Sequence, residues 1–161
     1  MCTSANIEYI AIDVMTKEDA LKIWDDVFGN TKWAMDCFGT YMYRDDYGDT
    51  ETMRIRPDGD GKKYSYGWEI DHIRPKSNFS NESEANIMNN YEPMHWINNR
   101  DKADNYPHFE IEGKQYKIVR CDICSSNGLL GYGIKDENGN RIDWKGRINK
   151  CYKNNENENR Y

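Results

Sequence analysis

Apolar residues recur at helical spacing over residues 16–28, where Ala20, Ile23, Trp24 and Val27 share one face. Thr16 stands at the N-cap, and Asp19 takes the reciprocal place of a capping box, where Glu or Gln is the usual choice. Gly29-Asn30 stops the helix. The face around Trp24 reads as packing. Elsewhere the period is two. Residues 7–14 read as a strand. Residues 33–43 form an element that turns at Gly39 into a strand over residues 40–43. Residues 49–65 are polar and contain glycine, with Arg54 and Arg56 alternating ahead of Pro57-Asp58-Gly59, and they read as a hairpin or loop. A short apolar strand ends near His72, and a polar helix follows His95. Residues 109–120 alternate around Glu112-Gly113-Lys114 as a β-hairpin. Residues 131–144 form a second hairpin, with Asn138-Gly139 as its type I′ turn. The Asn- and Glu-rich residues 154–161 read as a disordered tail. The expected class is α+β, without internal repeats.

The chemistry gathers where the strand meets the helix. The stretch Gly67-Trp68-Glu69-Ile70-Asp71-His72-Ile73-Arg74-Pro75 is followed by Asn90 and then by His95-Trp96-Ile97-Asn98-Asn99-Arg100-Asp101-Lys102. Hydrolysis of a phosphodiester needs a base to take a proton from water, and His, with an unperturbed pKa of about 6.5, suits that task. It also needs positive charge on the phosphate and the leaving oxygen, which a divalent cation supplies. A carboxylate and an amide carbonyl, here Asp71 and Asn99, are hard oxygen donors of the kind Mg²⁺ takes. Neighbours in a strand point to opposite faces, so Asp71 and His72 serve one centre only if the strand ends or bulges there. Pro75 and the polar run after it signal such an end.

These residues resemble the HNH family, the ββα-metal nucleases, in its bacterial and phage form. The resemblance runs from Tyr66 to Asp104. A weaker upstream likeness, through Trp33-Ala34-Met35-Asp36-Cys37-Phe38-Gly39 and Asp46-Tyr47-Gly48, extends it to about residues 22–104. It implies a ββα-metal core with an N-terminal strand-helix extension and a C-terminal extension rich in β-hairpins. By the same resemblance Asp71 is a metal ligand, His72 the general base and Asn99 the second metal ligand. Asn90 is the middle Asn, which ties the loop to the base-bearing strand and orients the His. Arg100 and Lys102, with Arg74 and Lys76 on the flank, are the phosphate- or DNA-binding candidates. Mg²⁺ or Mn²⁺ is the implied cofactor. The sequence departs from the family where paired zinc-knuckle cysteines are common, reading His95 and Asn98 there, so that zinc is not expected. The loop after His72 also lacks the usual Gly-Gly turn and runs slightly long. His95 is expected to pack or cap beside Trp96, and nothing links His108 to chemistry.

Composition adjusts this picture. The 161 residues are 37% hydrophobic and 13% aromatic, with 12 Tyr and 5 Trp, and mean hydropathy is -1.04. A small, aromatic-rich core is expected. The layout expected is one domain over residues 1–153, with the motif at 66–104 and a β-rich extension at 107–150. No apolar run is long enough for a membrane span and no signal pattern opens the chain, so a soluble, cytoplasmic protein is expected. The formal charge of -6 argues for weak, salt-sensitive contact with nucleic acid, although Arg54, Arg56, Lys62, Lys63, Arg74, Lys76, Arg100 and Lys102 flank the motif. Five cysteines, an odd number, are expected as thiols. Cys121 and Cys124 form one CxxC pair. A structural zinc would need two more ligands, for which Cys37 and Cys151 are the candidates, and is not the expectation.

The expected function is a metal-dependent endonuclease acting on DNA, double-stranded in the first instance. The alternatives are a non-cleaving nucleic-acid- or protein-binding module on the same fold, and a defence or toxin effector held by a regulatory partner. RNA as substrate stays open, as does a homodimer, which cutting both strands at once would require.

Overall fold

Thr16 opens the first helix as the sequence pattern requires. Its hydroxyl accepts from the Asp19 N–H at 3.1 Å, and the Asp19 carboxylate accepts from the Thr16 N–H at 3.1 Å. Helix α1 (Lys17–Phe28) ends at Gly29, whose φ of 75° suits a residue without Cβ. Ala20, Ile23 and Trp24 are buried and Val27 half-buried. The computed structural model describes residues 15–122 and 130–144. The expected strand at 7–14, the tail at 154–161, Cys2, Cys124, Cys151 and the Cys121 side chain lie outside the described residues.

The chain divides into two compact units, with the cut falling between Asp71 and His72. The first unit comprises Val14–Asp71 and Glu92–Ala103. Strands β1 (Trp33–Met35) and β2 (Tyr41–Tyr43) pair antiparallel around a turn where Gly39 takes φ 84°. Strands β3 (Met53–Ile55) and β4 (Lys63–Ser65) make a second antiparallel hairpin. Strand β5 (Trp68–His72) pairs with β6 (Tyr91–His95), and helix α2 (Trp96–Lys102) follows directly.

The core of this unit is Ala20, Trp24, Met42 and Trp68, edged by Phe28, Tyr47 and Ile70. The Trp24 and Trp68 rings lie 4.9 Å apart. Each indole N–H reaches a backbone carbonyl, Trp24 that of Thr31 and Trp68 that of Arg44, so both rings are buried without an orphaned donor. The second bond and the Gly48 N–H to Trp68 O bond hold β5 against the turn after β2.

The second unit includes His72–Tyr91 and the described residues from Asp104 onward. Short 3-10 turns at Lys76–Asn78, Glu82–Ala85 and Met88–Asn90 carry the loop after His72. Strands β7 (His108–Ile111), β8 (Lys114–Asp122) and β9 (Leu130–Lys135) form an antiparallel sheet in that order. The expected β7–β8 hairpin is present. Glu112 and Gly113 take φ 50° and 78°, the paired positive values of a tight two-residue connection. His108 opens β7 as an exposed strand residue.

The expected second hairpin reverses the chain where it should, with backbone bonds from Asp136 N to Asn140 O and from Ile142 N to Ile134 O, but its turn type and return strand are corrected. Strand β9 pairs with β8, and the return arm past the turn makes a single bridge, Lys135 to Arg141. The turn is not type I′, since Gly139 has positive φ and Asn138 does not. The reason is Asp136, whose carboxylate accepts from the N–H groups of Asn138 and Asn140 and so fixes a side-chain-capped turn.

The architecture is mixed α+β, with small antiparallel sheets and two α-helices among the described residues. No helix among the described residues is long and apolar enough to cross a membrane.

Candidate active site

Alternation along β5 puts Glu69 and Asp71 on one face, and spacing of three along α2 puts Asn99 and Lys102 on one face. The two pairs meet rung by rung within the first unit. The Asn99 side-chain amide donates to Glu69 Oε2 at 2.7 Å. Lys102 Nζ lies 3.3 Å from Asp71 Oδ1 and 3.1 Å from Oδ2. Asp71 and Lys102 are both buried. Burial pushes the half-buried Tyr47 phenol above its usual range, and the Glu69 carboxylate adds to the shift.

Asp36 positions the start of α2. Its buried carboxylate accepts from the N–H groups of Phe38 and Thr40, from the His95 N–H at 3.1 Å and from the Asn98 side chain at 2.8 Å. His95 caps the helix as expected, its Nδ1 accepting from the Ile97 N–H while Nε2 donates to the Ser65 carbonyl. A histidine engaged through both nitrogens is a structural element here. Gly67 carries the Trp96 N–H bond at 3.1 Å, and a Cβ there would fall 1.7 Å from the Asp49 carbonyl oxygen.

The second unit holds His72 and Asn90. His72 Nε2 lies 2.9 Å from Asn86 Oδ1, and its ring stands edge-on to Tyr91 at 5.1 Å. An amide oxygen only accepts, so this contact fits the tautomer that carries its proton on Nε2. Asn90 is fully buried and clamps the strand end. Its Oδ1 accepts from the Arg74 N–H at 2.8 Å, and its Nδ2 donates to the carbonyls of Arg74 and Ala85. The Ile73 N–H reaches the Asn90 carbonyl at 2.8 Å.

The basic candidates separate by environment. Lys102 is wholly buried against Asp71, away from solvent. Arg74 sits half-buried over Phe79 at 4.3 Å and donates to the Tyr132 hydroxyl and the Asn78 carbonyl. Arg100 is exposed and stacks on Trp96, and Lys76 is exposed.

Asp71, Asn99 and Lys102 thus come together on one strand-helix face, while His72 and Asn90 lie in the other unit beside Asn86. Sequence reasoning missed two residues. Glu69 is two positions before Asp71, so strand alternation alone could have placed it on the Asp71 face. Asn86 had no such signal, being one of many Asn in an aperiodic polar loop.

The expected oxygen donors on this face are one carboxylate and one amide, of the kind a hard divalent cation takes. A buried carboxylate already carries a cationic neighbour, and the Asn99 amide, its NH₂ taken by Glu69, has its carbonyl oxygen for coordination. Among the described residues no group of three or more His, Cys, Asp and Glu is placed to hold a metal. The one-metal reading asks for one carboxylate and one amide instead. No family model matches the chain, and neither the curated proteins nor the solved structures compared with it give a match.

Proposed function

We propose that this chain is a metal-dependent endonuclease with a ββα-metal core formed by β5, β6 and α2, hydrolysing phosphodiester bonds in DNA. The observation that carries the reading is the strand-helix ladder, in which β5 and α2 bring Asp71 and Asn99 to one face, while the next residue, His72, is held by Asn86. Asp71 and His72 are consecutive residues of β5.

In this reading His72 takes the proton of the attacking water, and the Asn86 side chain orients its ring. Asn90 keeps the loop tied to the backbone of Arg74. Asp71 and Asn99 would hold Mg²⁺ or Mn²⁺, which supplies charge stabilisation at the phosphate and the leaving oxygen when bound. Exposed Arg100 and Lys76 reach for the DNA backbone, and the β3–β4 hairpin, with Arg56 stacked on Tyr41 at 3.7 Å, adds a cationic flank. The chain's formal charge of -6 makes the contact weak and salt-sensitive.

The test is cleavage of supercoiled plasmid at low salt in Mg²⁺, Mn²⁺ or EDTA. Metal-dependent nicking or linearisation that His72→Ala abolishes, with the fold intact by circular dichroism, supports the reading. A His72→Ala protein that cuts at the wild-type rate removes His72 as the base.

A second reading, a binding module that does not cut, draws on the Lys102–Asp71 pair, because a carboxylate neutralised by a buried ammonium is also a self-sufficient structural bridge. Binding of duplex DNA without cleavage in any metal would favour it.

A further inference from the structure

We infer that Glu69 is a positioning residue for metal binding, acting through Asn99; the inference rests on the one-metal reading of Asp71 and Asn99. An Asn side chain is nearly symmetric in shape but not in chemistry. One end donates two protons, the other accepts, and only the accepting end can ligate a cation. Which end is left for a cation has to be decided by something outside the amide. Glu69 decides it. An ionised carboxylate only accepts, so the atom 2.7 Å from Oε2 is the Asn99 nitrogen, and the carbonyl oxygen is turned away from Glu69.

The alternation of β5 makes this possible. Glu69 stands two residues before Asp71 and therefore on the same face, with the spacing that matches Asn99 and Lys102 on α2. The bond is charge-assisted, in the stronger class of hydrogen bonds, and it sits beside a half-buried Tyr47 that Glu69 itself perturbs. With Glu69 removed, the Asn99 amide is released to turn, and an NH₂ in the place of its oxygen would repel a cation.

The experiment is Mn²⁺ binding by the full chain, followed by the loss of the free-ion electron paramagnetic signal, with thermal melts in EDTA as the folding control. Three substitutions separate hydrogen bonding from charge. Glu69→Gln keeps an acceptor at full reach but loses the charge. Glu69→Asp keeps the charge but withdraws the acceptor by one methylene. Glu69→Ala loses both. Glu69→Asp and Glu69→Ala should lower Mn²⁺ affinity by about tenfold or more, in the range seen when a partner holding a metal ligand is lost. Glu69→Gln should stay nearer to wild type than to either.

In an Asn99→Ala background, Glu69→Ala should cost no further affinity, because its effect runs through that amide. Wild-type affinity in Glu69→Asp, or a loss in Glu69→Gln as deep as in Glu69→Ala, overturns the inference while leaving the metal reading standing. A wild-type protein that binds no Mn²⁺, or Asp71→Ala and Asn99→Ala proteins that bind it unchanged, overturns the metal reading and the inference together.

Discussion

Lys102 Nζ lies 3.1 Å from Asp71 Oδ2, with side-chain exposures of 0% and 6%. Removing one partner of a buried ion pair costs about 3–5 kcal/mol, because the other charge is left uncompensated. Lys102→Met should therefore destabilise the protein by an amount of that order in EDTA. On the one-metal reading, a divalent cation at Asp71 would replace the missing charge. Saturating Mg²⁺ should then raise the urea midpoint of Lys102→Met more than that of the wild type, by mass action on the folded state. Equal shifts in the two proteins would leave Asp71 as a structural anion only.

The position of Lys102 was not legible in the sequence, because a lysine on a short polar helix reads as a solvated charge reaching for phosphate. The ladder that buries it depends on the pairing of β5 with β6 and on Asp36 anchoring the head of α2, both long-range contacts. What was legible was local. The Thr16–Asp19 box, the Ala20, Ile23 and Trp24 face, the turn at Gly39 and the Glu112-Gly113 connection each follow from residues within a few positions of one another. The turn at Asn138-Gly139 misled because the dipeptide pattern does not reveal that Asp136, two residues earlier, takes the N–H groups of Asn138 and Asn140. Glu69 was within reach of strand alternation; Asn86, in a loop built of 3-10 turns, was not.

Arg54 and Asp46 make the next prediction. The guanidinium donates through Nε at 2.7 Å and through Nη2 at 2.8 Å to the two oxygens of Asp46, which is buried. The arginine itself is one-third exposed, so water screens part of the pair. Arg54→Ala should cost about 1–3 kcal/mol, the penalty of leaving a buried acceptor unsatisfied. Arg54→Lys keeps the charge but not the planar fork and should fall between the two. Urea denaturation of the three proteins checks the order.

Gly67 is the point where β5 begins beside Asp49. A Cβ there would lie 1.7 Å from the Asp49 carbonyl oxygen and 2.8 Å from its carbonyl carbon, and both atoms are backbone. Neither can swing aside, so Gly67→Ala has to move a chain segment. A loss of about 1–3 kcal/mol or more is expected, as for other overpacked sites. Because Gly67 also accepts the first N–H of α2, Mn²⁺ affinity should fall with stability. A Gly67→Ala protein with the wild-type melting temperature would contradict the close approach.

Asp49 supplies the pH dependence. The Thr52 hydroxyl, together with the Thr52 and Glu51 N–H groups, holds its carboxyl at about 2, below the usual carboxylate range. A carboxylate depressed in the folded state stabilises the protein at pH values above about 3.9, the value for a free Asp, and that contribution disappears as pH falls toward 2. Asp49→Asn should therefore melt below the wild type at neutral pH, with the gap closing between about pH 4 and pH 2. A gap constant across that window would show that the carboxylate is not ionised in its turn.

Asn86 offers the sharpest test of the base. It lies 2.9 Å from His72 Nε2 and so orients the ring. Asn86→Ala removes the constraint without touching water, phosphate or metal, so cleavage should fall by about 10- to 100-fold, the usual cost of losing a group that orients a functional side chain. Asn86→Asp is more discriminating. A carboxylate beside the ring favours the imidazolium, so the pH at which cleavage rises should move upward, while activity at high pH recovers toward the wild type. If Asn86→Asp leaves the pH profile in place although His72→Ala abolishes cutting, His72 acts in a step other than proton removal. If both variants cut as the wild type does, the catalytic base lies elsewhere in the chain.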